Sequence, residues 1–360
     1  MWRKLLRILG FLIGCGVVCA YILYASHLAQ LHRSQQRVSQ VVVSIADSAE
    51  TRQFATSLQI AAQLKRRDLN AEGKLVDSVD AVKIADYIAG NGFVSDADVY
   101  VTYGGKMYVD VKQHRPIVRL LCGGFNSYIT REGDAFRSPR GAAYYTAVVT
   151  GAYKPLFVPK GDGDVESGYL SLVAKEDERL GRLIKEFTTL QSDYSSCENS
   201  RSKLRKDRRR KPFESRSSHE QRKVAIDIEL ANCDKELQQL DKRMVQLEKR
   251  QRNIEMRKKK LQKRYEDFRN LVTFVDEVSS DSFWGAEVVQ FIADTTSTGE
   301  ISLQLVPRSG DFTIILGTLA ERDAKMRKLQ KFYDKGLSHL GWDRYKSVDL
   351  RYSKQVICAE

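Results

Sequence analysis

The longest uninterrupted hydrophobic stretch of the chain runs from Ile8 to Ala25 and contains no charged residue. As a helix rising 1.5 Å per residue it would cover roughly 27 Å, close to the hydrocarbon thickness of a bilayer. Three basic residues stand among the first seven, and no Lys or Arg follows the stretch before Arg33. This pattern predicts a cytoplasmic tail at residues 1–7, a transmembrane helix at residues 8–25 and translocation of everything after it.

Two other targeting signals fit the same stretch less well. A cleavable signal peptide has a shorter apolar core and ends in small residues, whereas Tyr21 and Tyr24 stand near this end. A lipidated Cys15 would open a polar segment, but the apolar run continues for ten more residues. Length therefore favours an uncleaved single-pass anchor. Gly10 and Gly14 have the spacing of closely packed membrane helices, although Gly is common in such helices anyway.

The next segment has alternating strand and helix patterns typical of a small α+β module at residues 38–115. The predicted order is β-α-α-β-β, with the two last strands joined by the tight turn Gly104-Gly105. The elements are a strand at Val38–Ile45, helices around Phe54–Leu64 and Val79–Ala89, and strands at Ala97–Tyr103 and Lys106–Val111.

Strand patterns dominate residues 116–175 and return in residues 271–360, which predicts one β domain built from both segments. A polar Gly/Asp loop is expected at Pro159–Gly168; its acidic residues lack the Gly and the final acid of a calcium loop. A helix that carries Lys325, Leu329, Phe332, Tyr333 and Leu337 and ends near Gly341 is expected before the last strand pair. The predicted strands are Ile117–Cys122, a hairpin within 127–136, Tyr144–Thr150, Glu287–Ile292, Glu300–Val306, Asp311–Leu316, Ser347–Tyr352 and Gln355–Cys358.

Between these segments the hydrophobic period changes to the heptad repeat of a coiled coil. Pro212 interrupts the repeat, so residues 176–270 are predicted to fold as an antiparallel coiled-coil hairpin inserted into the β domain. Its second arm is the longer one, so part of it must pair with something else or stand alone. The seam positions are Leu180, Leu183, Phe187, Leu190, Tyr194 and Cys197, then Ile226, Leu230, Cys233, Leu237, Leu240, Met244, Leu247, Ile254, Leu261, Tyr265 and Phe268, with Gln251 and Lys258 interrupting.

The positive charge of the chain is concentrated in this hairpin. The 360 residues carry a net charge of +13, and residues 201–264 alone contain 23 Lys/Arg against 10 Asp/Glu. The clusters Arg205–Lys211 and Arg257–Lys260 raise the hypothesis that the hairpin binds an anionic surface such as lipid headgroups, wall polymer or nucleic acid. A solvated outer face is the alternative, because Lys and Arg often fill the outer positions of coiled coils.

The residues that would carry catalysis or bind a metal are scattered. Five His and six Cys show no metal-ligand spacing, and the sequence has no nucleophile, phosphate-loop or dinucleotide motif. We therefore expect no enzyme activity, no cofactor, no metal site and no small-molecule substrate. Whether Cys197 and Cys233 form a disulfide between the arms is open.

Several short motifs resemble the FtsQ/DivIB bacterial cell-division proteins. They are Gln113–Arg119 after the α+β module, Ser127-Tyr128-Ile129 with Gly133, Asp281–Trp284 before a strand, and Asp349–Ser353 near the end. The order of segments also resembles that family: a cytoplasmic tail, one membrane helix, a POTRA module and a β domain. The coiled coil is a departure, because it is not a general feature of the family.

The resemblance implies a non-enzymatic scaffold in the inner membrane, of single-pass type II topology, with its bulk in the periplasm at the division septum. Its expected partners are division proteins of the FtsB and FtsL type, and it would help regulate septal peptidoglycan synthesis. In the family the last strands form the FtsB-binding edge, and Arg351, Tyr352 and Ser353 occupy the matching positions here. Such an edge captures an extended segment by main-chain hydrogen bonds.

The alternative function is a periplasmic adaptor of a secretion or efflux system, which also combines a membrane anchor with a coiled-coil hairpin. Such adaptors carry two similar half-motifs beside the hairpin. The flanks here, Tyr169–Lys175 and Leu271–Phe283, do not resemble each other.

Overall fold

The computed structural model describes residues 14–28, 36–46, 54–137, 143–156, 163–337, 341 and 344–360. Residues 14–28 are helical (α1), while residues 8–13 of the predicted membrane span lie outside the described residues. Within the described ranges, no helix combines the length and the apolar character needed to cross a bilayer.

The predicted β-α-α-β-β order is present in the first module, whose three strands form a sheet in the order β1-β3-β2. A capping box between Thr56 and Gln59 begins the first α-helix of the module, and the Asp80 side chain caps the start of the second. Both helices bury apolar residues in one core with the strands of this sheet. The elements are β1 (Gln40–Ile45), α2 (Ser57–Arg66), α3 (Ala81–Ala89), β2 (Val94–Val101) and β3 (Lys106–Gln113).

A second sheet of ten strands contains the remaining strands, in the order β13-β12-β11-β10-β9-β7-β4-β5-β6-β8. Its strands are β4 (Pro116–Cys122), β5 (Ser127–Thr130), β6 (Asp134–Arg137), β7 (Ala147–Gly151), β8 (Gly163–Asp164), β9 (Val288–Thr295), β10 (Ile301–Pro307), β11 (Thr313–Thr318), β12 (Ser347–Asp349) and β13 (Ile357–Ala359). Segments from both sides of the long helices thus share one sheet, because β7 and β9 pair in parallel.

The two sheets contact each other through a cluster of aromatic rings. Phe54 of the first module packs edge-on against Tyr128 and Phe136, with ring centroids 5.1 Å away in both cases. Tyr144 stacks on the same ring at 5.3 Å. The β5–β6 hairpin therefore completes the core of the first module.

Two long helices, α4 (Val165–Asp207) and α5 (Arg216–Ser280), lie between β8 and β9 in the chain. Ion pairs join Asp177 to Lys258 at 2.5 Å and Arg201 to Asp234 at 2.6 Å, so the helices run antiparallel. The residues of the predicted heptad seam are buried or half-buried along both helices, as the repeat predicts. Knobs-into-holes packing of a coiled coil stays a prediction.

The first helix begins earlier than the pattern indicates. The polar loop predicted at Pro159–Gly168 is wrong in its last part, since α4 already starts at Val165. The Asp164 carboxylate caps this start by accepting the backbone N–H groups of Glu166 at 3.1 Å and Ser167 at 2.8 Å. Capping thus extends the helix well ahead of the heptad repeat. The domain boundaries derived from the sequence stay predictions.

The surplus length of α5 packs on the ten-stranded sheet. Beyond the seam, Leu271, Phe274, Val275 and Val278 are buried in the same core as the central strands. The helix has 65 residues, or about 98 Å at 1.5 Å per residue. One continuous helix therefore joins the core of the sheet to the far end of the helix pair.

The cysteines of the helix pair are free thiols. The Sγ of Cys197 lies 3.8 Å from the carbonyl oxygen of Cys233 on the facing helix. The two residues are thus neighbours across the pair without a disulfide between them.

Two further helices lie in the chain among the later strands. Asp281 accepts the backbone N–H groups of Phe283 and Trp284, both at 2.8 Å, which begins α6 (Trp284–Glu287). The last long helix, α7, spans Arg322–Phe332. The helix predicted to end near Gly341 is corrected here, because α7 ends at Phe332 and Tyr333–Leu337 forms a π-helical turn; residues 338–340 lie outside the described residues.

Candidate partner-binding edge

Strand β13 forms one edge of the ten-stranded sheet. Its antiparallel partner is β12, and among the described residues no strand pairs with its other side. Ile357 is 40% exposed on this edge, and neither charge nor Pro occurs within the strand. Uncharged free edges of this kind readily pair with a strand from another chain.

The free side of β13 presents the backbone of Cys358. Bonding directions alternate along a strand. Thr313 N donates to Lys346 O at 3.0 Å and Leu350 N donates to Ile315 O at 2.9 Å, so the carbonyl group of Lys346 and the N–H group of Leu350 face β11, while Lys346 N donates to Ala359 O of β13 at 2.8 Å. Ser347 and Asp349, which alternate with these positions, therefore face β13. They lie opposite Ala359 and Ile357, the two neighbours of Cys358. The N–H and C=O groups of Cys358 itself point away from β12.

The loop between β12 and β13 is held by Lys328 on α7. Its ammonium group donates to the carbonyl oxygens of Leu350 at 2.9 Å and Gln355 at 3.3 Å, and also to that of Tyr352. An ammonium has three N–H donors, and here all three reach loop carbonyls. Burial lowers the pKa of Lys328 from its ordinary value. One side chain thus ties both ends and the middle of the loop to a helix.

An ion pair shapes the start of this loop. The Arg351 guanidinium donates to both oxygens of Asp349, with Nη2 2.6 Å from Oδ2. These hydrogen bonds hold the pKa of the nearly buried Asp349 carboxyl below its ordinary value. The stem of Arg351 lies over Gly317, where a Cβ would be only 2.7 Å from Arg351 Cγ. Gly317 therefore makes room for the pair.

The three residues predicted from the sequence lie in this loop rather than in a strand. The strand predicted at Ser347–Tyr352 ends at Asp349, because the Asp349 side chain accepts the backbone N–H of Arg351 at 2.9 Å and turns the chain. Tyr352 is 48% exposed and Ser353 is exposed. Arg351 is exposed as well, but its guanidinium is engaged by Asp349, whereas no such ion pair within the described residues holds Tyr352 or Ser353.

Sequence reasoning missed the outward backbone of Cys358 and the contacts of Lys328. For the outward backbone of Cys358, the only sequence signal was the apolar strand pattern near the end of the chain. Lys328 stands on a helix with many other cations, and nothing in the pattern distinguishes it. The described residues contain no cluster of three or more His, Cys, Asp or Glu side chains that could hold a metal ion.

Two family models match the chain. One, described as a POTRA-like domain, matches residues 36–112 and so covers the first sheet and its helices. The other, described as FtsQ/DivIB, C-terminal related, matches residues 233–359 and runs from within α5 to the end of β13. Among curated proteins, none matches the chain.

We predict that the Asp349–Arg351 pair stabilises this edge in a pH-dependent way. The pKa of Asp349 is lower in the folded than in the unfolded chain, so the pair contributes above the unfolded value and is lost as the pH falls through the folded one. Asp349→Asn should lower the free energy of unfolding at neutral pH by about 1 kcal/mol, because Arg351 is half in solvent. The difference from the parent chain should narrow below about pH 4 in urea titrations.

The matched control is Asp323→Asn, which removes an exposed carboxylate from α7. Its effect on unfolding should stay within about 0.5 kcal/mol. A gap between Asp349→Asn and the parent chain that persists undiminished in acid would contradict the assigned role.

Proposed function

The chain belongs to the FtsQ/DivIB family of cell-division proteins, and from that premise we propose that it is a membrane-anchored scaffold of the bacterial division machinery. In this role it binds division proteins of the FtsB and FtsL type through the β domain and helps regulate septal peptidoglycan synthesis. The family consists of non-enzymatic scaffolds. The family match favours division over the adaptor of a secretion or efflux system.

The observation that carries this proposal is the free edge of β13. A partner segment that adds as a further strand would bond to the outward N–H and C=O groups of Cys358. Main-chain bonds of this kind supply affinity that depends little on the partner's sequence, so side chains must supply selectivity. The short length of β13 limits non-specific pairing, as edge strands in native proteins commonly do.

Tyr352 is the side chain that we assign to selectivity. It stands half-exposed in the loop that leads into β13, and its backbone is held by Lys328. A rigid aromatic with a polar end supplies a large contact area at little cost in conformational entropy. Ser353 lies beside it as a polar rim residue, while Arg351 positions the loop through Asp349.

The domain organisation proposed for this role follows the sequence boundaries. Residues 38–115 form the POTRA module, residues 116–175 with 271–360 form the β domain, and residues 176–270 form an inserted coiled-coil hairpin. The stretch Ile8–Ala25 is the single membrane anchor, with the tail of residues 1–7 in the cytoplasm and the bulk of the chain in the periplasm at the septum. The charge asymmetry around that stretch supports this topology.

We predict that removing one outward N–H weakens partner binding. Cys358→Pro deletes the amide hydrogen on the free side of β13 and leaves the bonds to β12 in place, since Pro is tolerated on edge strands. The affinity of the full chain in detergent for its FtsB-type partner should fall about tenfold, as for one lost interfacial hydrogen bond. Cys358→Ala removes the thiol but keeps the N–H, and it should bind like the parent.

The same binding assay separates the side-chain contribution. Tyr352→Ala should weaken binding about 30-fold, the loss typical of a central aromatic anchor. Tyr103→Ala removes another exposed Tyr, from the turn between β2 and β3, and should have no effect. Parent-like binding by both Cys358→Pro and Tyr352→Ala would place the interface elsewhere on the chain.

The anchor is tested by location. A chain that lacks residues 1–28 should leave the membrane fraction and appear in the soluble periplasmic or cytosolic fraction. A chain in which residues 8–25 are replaced by an unrelated apolar helix should stay in the membrane and at midcell. Retention of the truncated chain in carbonate-washed membranes would contradict the assignment.

A further inference from the structure

The far end of the helix pair combines an exposed aromatic ring with a dense group of cations. We define the tip as residues 205–216, which include the end of α4, the connection and the start of α5. Phe213 is fully exposed in this connection. No other aromatic residue lies within the tip.

Five cations of the tip have side chains free of hydrogen bonds and ion pairs. Two others are used internally: Arg208 pairs with Asp227 at 2.8 Å, and Arg210 donates to the carbonyl oxygen of Glu214 at 2.8 Å. Within this part of the described chain, the unpaired cations are Arg205, Lys206, Arg209, Lys211 and Arg216, all of them exposed.

The Glu214 carboxylate organises the connection. It accepts two hydrogen bonds of 2.8 Å from the guanidinium of Arg222 and one of 3.0 Å from the backbone N–H of Lys211. The bonds from Arg222 lower the pKa of Glu214 to about 2. Its negative charge is therefore matched internally. The connection has a defined shape, and its outward charge is positive.

The backbone at Phe213 is unusual for a bulky residue. Its φ of +68° lies in the left-handed region, which Asn and Gly adopt far more easily than Phe. Because the ring is fully exposed, burial of the ring does not offset the strain of this backbone conformation. A strained residue whose side chain serves no internal purpose points to a role outside the molecule.

We propose that the tip docks onto an anionic phospholipid surface, with the Phe213 ring in the interfacial layer and the five cations at the level of the headgroups. Aromatic and basic residues divide in this way between the two layers in interfacial anchors. Each cation near an anionic leaflet strengthens binding about fivefold. The site stands on the geometry of the tip alone and does not depend on the partner-binding role of β13.

Lipid fits the tip better than nucleic acid does. Proteins that bind single strands stack successive bases on several aromatic side chains along a basic groove. The tip offers one ring at a convex end, which suits insertion into a layer rather than stacking along a strand.

The experiment uses the full chain in phosphatidylcholine nanodiscs, so that its own apolar segment is already inserted in a bilayer. Flotation with phosphatidylcholine vesicles, with and without phosphatidylglycerol, reports binding by the rest of the chain. The parent should bind only the anionic vesicles. The double variant Arg209→Gln with Lys211→Gln should bind about 25-fold more weakly. Phe213→Asn should bind about tenfold more weakly.

The variants are chosen to preserve the tip. Asn suits the left-handed backbone at position 213, and Phe213→Trp should restore binding because it returns an aromatic ring. The controls are Lys242→Gln with Arg243→Gln, which remove the same charge from the middle of α5, and Val245→Asn, which removes an exposed apolar side chain. All controls should bind anionic vesicles like the parent.

Any of three results would overturn the proposal. The first is parent-like vesicle binding by Phe213→Asn, and the second is an equal loss of vesicle binding in the mid-helix charge control. The third is tight binding of a single-stranded oligonucleotide that depends on Phe213 while vesicle binding does not, which would assign the tip to nucleic acid.

Discussion

The parallel pairing of β7 with β9 is the contact on which the rest of the structure depends. Val149 and Phe291 are register partners in this pair although the two long helices separate them in sequence. The strands approach so closely at the end of β7 that a Cβ on Gly151, whose φ is +110°, would be 2.3 Å from the carbonyl oxygen of Ala293. The next residues are held as well, since Asp294 accepts the N–H of Ala152 at 2.8 Å. Once these strands meet, the helices must leave the sheet and return to it as a pair.

The long helix α5 connects the core of the sheet to the tip. Its last turns pack in the core of the sheet, and its first turns hold the tip through Arg222 and Glu214. Near the sheet, Glu277 on α5 pairs with Arg322 on α7 at 2.9 Å. The same helix α7 supplies Lys328, which holds the loop before β13. Helix α5 therefore supports both of the proposed contact surfaces, one at each end of the insertion.

The patterns of the sequence predicted local structure well where a repeat was long. The heptad seam and the β-α-α-β-β order need only the spacing of apolar residues, and both follow from it. The strand expected to run to Tyr352 ends at Asp349, because a single side-chain hydrogen bond turns the chain there. No spacing rule distinguishes that Asp from an ordinary strand residue. The position of the last strands at an edge was expected only from the family resemblance, since it depends on pairing between strands far apart in the chain.

The most direct test of the account is amide hydrogen exchange in the full chain with and without its FtsB-type partner. In the free protein, the amide of Cys358 should exchange quickly, because it points to the unpaired side of β13. Partner binding should slow exchange at Cys358 and across residues 350–359, where a new strand would pair and Tyr352 would be covered. The claim that this edge is the binding site would be contradicted if a saturating concentration of the partner left exchange over residues 350–359 unchanged and slowed exchange elsewhere in the chain.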